Sequence, residues 1–198
     1  MKALIRIVDI LSSAVGLLLL SPLLVIVALW IVVDDPGPVF YRQQRVGRDN
    51  RDFGLWKFRS MRVNADKGSL ITVGDHDPRI TRAGYYIRKY KLDELPQLIN
   101  VLVGDMSLVG PRPEVRRYVD TYTPEQMQVL SVRPGITDYA SIEYIDENVI
   151  LAKAQDPDKV YIEQIIPAKI ALNMRYIRHQ TLGEYLKIIG LTFVKIIR

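Results

Sequence analysis

Asp93 and Glu94 stand side by side in "RKYKLDELPQ" (88–97), just behind the cations Arg88, Lys89 and Lys91. Paired carboxylates beside cations suit chemistry on an anionic substrate, as nucleophile, proton-transfer group or metal ligand. They also suit a helix start, where exposed N–H groups and the dipole favour anions. Adjacent residues in a helix point about 100° apart, so the pair can act together only at such a start. Pro96 is tolerated only in a first turn and places the start here. By itself the stretch favours Asp93 as an N-cap worth about 1 kcal/mol.

Further cations gather beside glycine and proline. "SLVGPRPE" (107–114) and "VRPGIT" (132–137) each hold an arginine, Arg112 and Arg133, in a rigid turn. Such turns can aim a guanidinium fork at a phosphate. "PVFYRQQRVGRDNRDFGLWKFRSM" reads as two strands around the turn Asp49-Asn50, with Lys57 and Arg59 two apart and therefore on one face. Lys57, Arg59, Arg88, Arg112 and Arg133 are the candidate phosphate ligands. Neither Walker nor dinucleotide-fingerprint spacing occurs, and no aromatic-basic motif or reading helix marks a nucleic-acid binder. With 27 Lys and Arg against 22 Asp and Glu, the net charge of +5 suits anionic partners without choosing among them. The absence of cysteine excludes disulfides and thiolate metal sites, and His76 and His179 lack metal-ligand spacing.

These groups must be placed against a membrane. Ile10 to Val33 is an uncharged run of about 24 residues, about 36 Å as a straight helix and enough to cross a core of about 30 Å. It runs into "DDPGPVF" without a small-residue cleavage site, unlike a signal peptide. Ser21-Pro22 lies at its middle, and cations flank both ends: Lys2 and Arg6 before, Arg42, Arg45, Arg48 and Arg51 after. Positive-inside bias marks both ends as cytoplasmic. A helix broken at Pro22 gives two arms that each enter one leaflet, so a re-entrant hairpin is expected over a single span.

The remainder reads as one soluble domain. Residues 62–82 form a polar loop, and a short helix from about Pro96 to Leu102 ends near Gly104. Thr123 with Gln126, Asp156 before Pro157, and Thr181 with Glu184 signal three helix starts. The last helix sets Leu186, Ile189, Phe193 and Ile196 or Ile197 opposite Glu184, Lys187, Lys195 and Arg198. That stripe can pack on the core or lie on the bilayer surface.

Together, "KFRSM", "RKYKLDELPQLINVLVGDMSLVGPRPE" and "RPGIT" resemble the bacterial sugar transferases, the monotopic phosphoglycosyl transferases, over most of the chain to about Thr137. The resemblance is to the minimal form, without the extra N-terminal membrane domain of larger relatives. It implies transfer of a sugar phosphate from a UDP-sugar to a polyprenyl (undecaprenyl) phosphate with Mg2+, UMP leaving, as the first membrane step of glycan assembly. It implies that Asp93 is the nucleophile of a phosphosugar-enzyme intermediate. Glu94 assists through proton or metal positioning, and Asp93 and Glu94 are the candidate metal ligands. It also assigns Arg88 to the substrate phosphate and Ser21-Pro22 to the break of the re-entrant helix.

One departure stands out. Where many relatives continue with glycine, tryptophan and "GRN", this chain has "DYASIEYIDEN" (138–148), which makes Asp138, Glu143 and Asp146 candidates for donor specificity. The expected architecture is α/β or α+β: a re-entrant membrane helix over 1–33, then a cytosolic catalytic domain over 34–198 with a C-terminal amphipathic helix. The expected location is the cytoplasmic face of a bacterial inner membrane, in contact with its lipids and with no nucleic acid, a homodimer being allowed. Two rivals remain: a polyprenyl diphosphate-sugar hydrolase, and a membrane-tethered basic binding protein in which Asp93 is structural.

Overall fold

In the computed structural model, residues 2–65, 77–144, 150–151 and 154–197 are described. The apolar N-terminal run lies within helix α1 (Lys2–Asp34), which passes through Pro22 as a single element, so the two arms expected from the sequence are not separate helices. Proline at 22 leaves the Leu18 carbonyl without its usual donor. The Ser21 hydroxyl supplies one instead, at 2.8 Å. Among the described residues this is the one helix long and apolar enough to cross a membrane. Leu11, Leu18, Leu19, Ile26, Leu29 and Val33 are all exposed.

Both ends of α1 are nevertheless packed on the rest of the chain. Ile5 joins Val109, Tyr176, Tyr185 and Ile188, and Val27 and Ile31 join Phe58, Ala83 and Ile87. Polar contacts fix the same two ends. Asp9, 1% exposed, accepts from Tyr185 Oη at 2.7 Å, Leu108 N at 2.9 Å and Ser107 Oγ at 3.0 Å. A buried carboxylate must be met by donors in this way. At the far end Asp35 pairs with Arg59 at 2.5 Å, and Asp34 accepts from Ala83 N at 2.8 Å.

The hairpin expected around Asp49-Asn50 is present. Strands β1 (Phe40–Val46) and β2 (Asp52–Phe58) pair antiparallel, Phe40 opposite Phe58, and the turn carries positive φ at Asp49 and Asn50, as such turns require. The other edge of β2 meets a side chain in place of a strand. Asn100, fully buried, accepts from Trp56 N at 2.9 Å and donates to Gly54 O at 2.9 Å. Asn100 belongs to α3 (Gln97–Val103), which follows α2 (Arg82–Lys89) and ends at Gly104 in the left-handed region, φ 103°.

The two Gly-Pro-Arg motifs are neighbours. β3 (Ser107–Val109) and β4 (Gly135–Thr137) pair parallel, Ser107 opposite Gly135. Beyond β3 the backbones cross so closely that a Cβ on Gly110 would lie 2.4 Å from Arg133 O, and one on Gly135 2.1 Å from Gly110 N. Only glycine fits either place.

Helices complete the fold: α4 (Arg116–Val119), α5 (Tyr139–Glu143), α6 (Pro157–Val160), α7 (Ile166–Arg178) and α8 (Leu182–Ile197). A π-helical turn joins α6 to α7. The three cap signals hold. Thr123 and Gln126 bond reciprocally, Asp156 accepts from Lys159 N, and Thr181 from Glu184 N. In α8 Tyr185 and Ile188 are buried, whereas Leu186 and Phe193 of the sequence stripe face outward at 52% and 63% exposure and do not pack on the core. Tyr185 is taken inward because its hydroxyl has Asp9 to bond. The molecule is thus a mixed arrangement of helices and small two-stranded sheets.

Asn100→Ala should destabilise the fold by about 3 kcal/mol, because it leaves a buried N–H and C=O of β2 unpaired. Chemical denaturation of the lipid-reconstituted protein reads this. An unchanged midpoint would show that the β2 edge finds other partners.

Candidate active site

The carboxylate pair sits in a tight joint between two helices. α2 is capped by Thr81, whose hydroxyl accepts from Gly84 N, and delivers Arg88 and Lys89 in its last turn. Lys91 then adopts φ 56°, a conformation that costs a non-glycine residue about 1 kcal/mol. Leu92–Glu94 form one 3-10 turn, and the chain continues through Leu95 and Pro96, both in right-handed helical conformation, into α3. No side chain caps either the 3-10 turn or α3. Asp93 is therefore not the N-cap that its position suggested.

The two carboxylates have different surroundings. Arg112 holds Glu94 through both terminal guanidinium nitrogens, Nη1 to Oε2 at 3.1 Å and Nη2 to Oε1, and Lys57 Nζ reaches Oε1 at 3.4 Å. Burial works to raise the Glu94 pKa, yet Arg112 and Lys57 hold it well below the usual carboxylate range. Asp93 is 8% exposed and, among the described residues, has neither a hydrogen bond nor an ion pair. Burial pushes its pKa up; Lys57 opposes this, Glu94 adds to it, and Arg88 and Lys91 oppose it.

Arg88 is half-buried, acts on both Asp93 and Asp77, and has no ion pair among the described residues. One turn beyond, Gln97 is 2% exposed, and its Nε2 has no hydrogen-bond partner among the described residues. The arrangement combines a bare buried carboxylate, a neutralised one beside it, and a free guanidinium and amide donor nearby. It can attack and hold a phosphorus centre.

The sequence comparisons agree with that chemistry. The profile of the family described as "Bacterial sugar transferase" matches residues 1–198. The chain is 47% identical over 137 residues to the UDP-N-acetylgalactosamine-undecaprenyl-phosphate N-acetylgalactosaminephosphotransferase of Aeromonas hydrophila, covering 68% of this chain and 32% of that one. It is 37% identical over 191 residues to the UDP-glucose:undecaprenyl-phosphate glucose-1-phosphate transferase of Escherichia coli, covering 94% and 39%. A protein of the same name from Caulobacter vibrioides is 34% identical over 187 residues, covering 93% and 66%.

This chain belongs to the bacterial sugar transferase family.

It spans about a third to two-fifths of the length of the first two relatives. Within this family member, Asp93, Glu94, Lys57, Arg88 and Arg112 converge. Two expected phosphate ligands do not join them. Arg59, 6% exposed, is committed to Asp35 through its side chain and backbone carbonyl. It lies just past the end of β2, where the alternation that placed it beside Lys57 no longer applies. Arg133 donates from Nε to Gly104 O at 2.9 Å, next to Arg6, which donates to Val101 O and Leu102 O at 2.6 and 2.9 Å. Both cations serve the negative end of α3.

The specificity candidates also separate. Asp138 is a buried anchor that caps α5 through Ser141 N at 2.6 Å and holds Arg112 N at 2.9 Å. Glu143 is exposed at the end of α5, and Asp146 lies outside the described residues.

Sequence reasoning missed Glu114, the last residue of "GPRPE". Glu114 accepts from Tyr161 Oη at 2.6 Å and Lys169 Nζ at 3.4 Å, with Arg45 at 3.7 Å. Burial alone would raise its pKa, but Lys169, Arg45 and the tyrosine bring it below its ordinary value. A depressed folded-state pKa stabilises above the unfolded value of about 4.3 and is lost as pH falls through the folded value. Glu114→Gln should cost about 3 kcal/mol at neutral pH by stranding buried cations, and should flatten the acid side of the stability–pH curve. Denaturation at a series of pH values checks both; an unchanged acid slope would remove Glu114 from the acid response.

Proposed function

We propose that this transferase moves a sugar 1-phosphate from a UDP-sugar to undecaprenyl phosphate through a covalent intermediate on Asp93. The carrying observation is the asymmetry of the pair: Glu94 is held by Arg112 and Lys57, while the buried Asp93 carboxylate has no partner among the described residues. An Asp93 oxygen attacks the phosphorus that carries the sugar. The bond from that phosphorus to the bridging oxygen breaks, and UMP leaves with the electron pair. The undecaprenyl phosphate oxygen then attacks the same phosphorus and releases Asp93, giving an undecaprenyl diphosphate-linked sugar.

Two like unit charges at 4 Å repel by about 4 kcal/mol at an effective dielectric near 20. Arg88, unpaired among the described residues, supports the reading because it can offset that repulsion on the donor phosphates. Asp93 presents the hard oxygen donors that Mg2+ takes in company with substrate phosphates, whereas Glu94 already has both oxygens engaged. A bound Mg2+ would be held by Asp93 and the donor and would neutralise charge there. The donors named for the relatives are UDP-N-acetylgalactosamine and UDP-glucose, so both sugars belong in the assay.

Incubation with labelled donor and Mg2+ but no lipid should load one sugar phosphate per chain and release UMP. Asp93→Asn should abolish the labelling, with transfer falling at least about a thousandfold, and leave the melting transition nearly unchanged because no cap is lost. Near-native transfer by Asp93→Asn would sink the assignment.

We further propose that α1 enters and leaves the cytoplasmic leaflet, with Ser21-Pro22 at its deepest point. A straight 33-residue helix would be about 50 Å long, yet the same domain contacts both its ends. The outward Leu186 and Phe193 of α8, and Trp30 stacked on Tyr86 at 5.9 Å, suit the bilayer interface. Cysteine labels at positions 2 and 48 should react from the cytoplasmic side alike. Reaction from opposite sides would establish a span.

A further inference from the structure

The loop that carries Arg112 leaves its main chain little freedom. Prolines at 111 and 113 flank the arginine. Neither has an N–H, so Arg112 supplies the one main-chain donor of the three residues. Pro111 has a fixed φ, and Pro113 steers Arg112 toward extended backbone. The peptide plane between Pro111 and Arg112 is the hinge that remains, and it is held on both sides. Pro111 O accepts from Gly135 N at 3.0 Å, and Arg112 N donates to Asp138 Oδ2 at 2.9 Å. Just beyond, Pro113 O accepts from Arg45 Nη1 at 3.0 Å.

One hold on the plane is backbone and the other is a side chain, itself tied to two helices. Asp138 is 2% exposed. Its Oδ1 accepts from Ser141 N at 2.6 Å, at the start of α5. Its Oδ2 also accepts from Asn173 Nδ2 at 2.8 Å, from α7. At the far end of Arg112, the guanidinium meets Glu94 through both terminal nitrogens. A fork of this kind is specific in its geometry. The Arg112 side chain is 33% exposed, so it has room to leave Glu94 once its aim is lost.

We propose that Asp138 is a positioning residue for sugar phosphate transfer: it fixes the Arg112 peptide plane and thereby keeps the guanidinium on Glu94. This rests on the reading of Asp93 as the nucleophile. A loosely aimed arginine divides its time between two adjacent carboxylates, and pairing with Asp93 ties up the attacking oxygen. Each bond of Asp138 goes to a protein group. Its effect therefore falls on the rate of attack and not on donor binding, and it is the same for every donor sugar.

The test is a mutant cycle on donor loading. It uses the full chain in lipid nanodiscs with labelled UDP-glucose or UDP-N-acetylgalactosamine, Mg2+ and no acceptor lipid. Serine caps a helix about as well as aspartate, so Asp138→Ser keeps the Ser141 bond and loses the second oxygen. It should lower the maximal loading rate about tenfold for both donors, with the half-saturating donor concentration within about twofold. Arg112→Ala retains the main-chain N–H but leaves no guanidinium to aim. In that background Asp138→Ser should change the rate by less than about twofold. A full tenfold loss there overturns the inference and makes Asp138 a structural group only. So does an unaltered rate in the single variant, an effect confined to half-saturation, or a changed ratio between the two donors. Asn173→Ala frees Asp138 from α7 without touching the α5 cap, and supplies the same cycle if Asp138→Ser fails to fold. If the unmodified chain loads no sugar phosphate, or Asp93→Asn loads normally, the nucleophile reading falls and takes this inference with it. Loading by the unmodified chain with an additive cycle removes this inference alone.

Discussion

Two adjacent carboxylates in a poorly solvated joint repel each other, and the way this chain neutralises one of them organises its site. Arg112 and Lys57 both converge on Glu94. Lys57 comes from the hairpin, Arg112 from the loop after β3, and the pair itself from the turn between α2 and α3. These three segments must therefore be fixed relative to one another to within hydrogen-bond tolerance. Asn100 ties α3 to β2, Asp138 ties the Arg112 backbone to α5 and α7, and the glycine crossing locks β3 against β4. The supporting contacts are mostly single polar side chains, because sheets of two strands cannot supply long ladders.

The N-terminal helix belongs to that framework. Asp9 gathers α8 and β3, and Arg6 sits at the carbonyl end of the helix that follows the carboxylate pair. At the other end Asp34 helps start α2, which carries Arg88. A change in the seating of α1 thus bears on both sides of the site. The long apolar helix and the candidate active site share the same contacts.

Much of the site was legible in the sequence because it lies in short segments whose local chemistry is distinctive. The turn at Pro96, the glycine end of α3, the hairpin and the three caps are local decisions, and the structure keeps them. Asp93, Glu94, Arg88 and Arg112 were found by residue type and motif. What failed were inferences about which partner a cation would choose. Arg59 and Arg133 carry the same side chain as Arg112, and only tertiary structure sets Asp35 beside one and the end of α3 beside the other. Asp9, Glu114 and Asn173 were invisible for the same reason: each is defined by donors distant in sequence. In α8 the apolar stripe allowed either core packing or an outward face, and the pairing of Tyr185 with Asp9, distant in sequence, turned Tyr185 and Ile188 inward instead.

The crossing of Gly110 and Gly135 has a consequence for how such a chain can diverge. At most packed positions a larger residue on one side can be accommodated by a smaller one opposite. Here each would-be Cβ meets backbone atoms, and no substitution elsewhere removes backbone. Paired replacements cannot rescue either site, so a randomised library covering both loops should return glycine at 110 and 135 independently of each other. The arginines between them are held for another reason, Arg112 by Glu94 and Arg133 by the carbonyl of Gly104. Side chains fix those two positions, whereas backbone alone fixes the glycines.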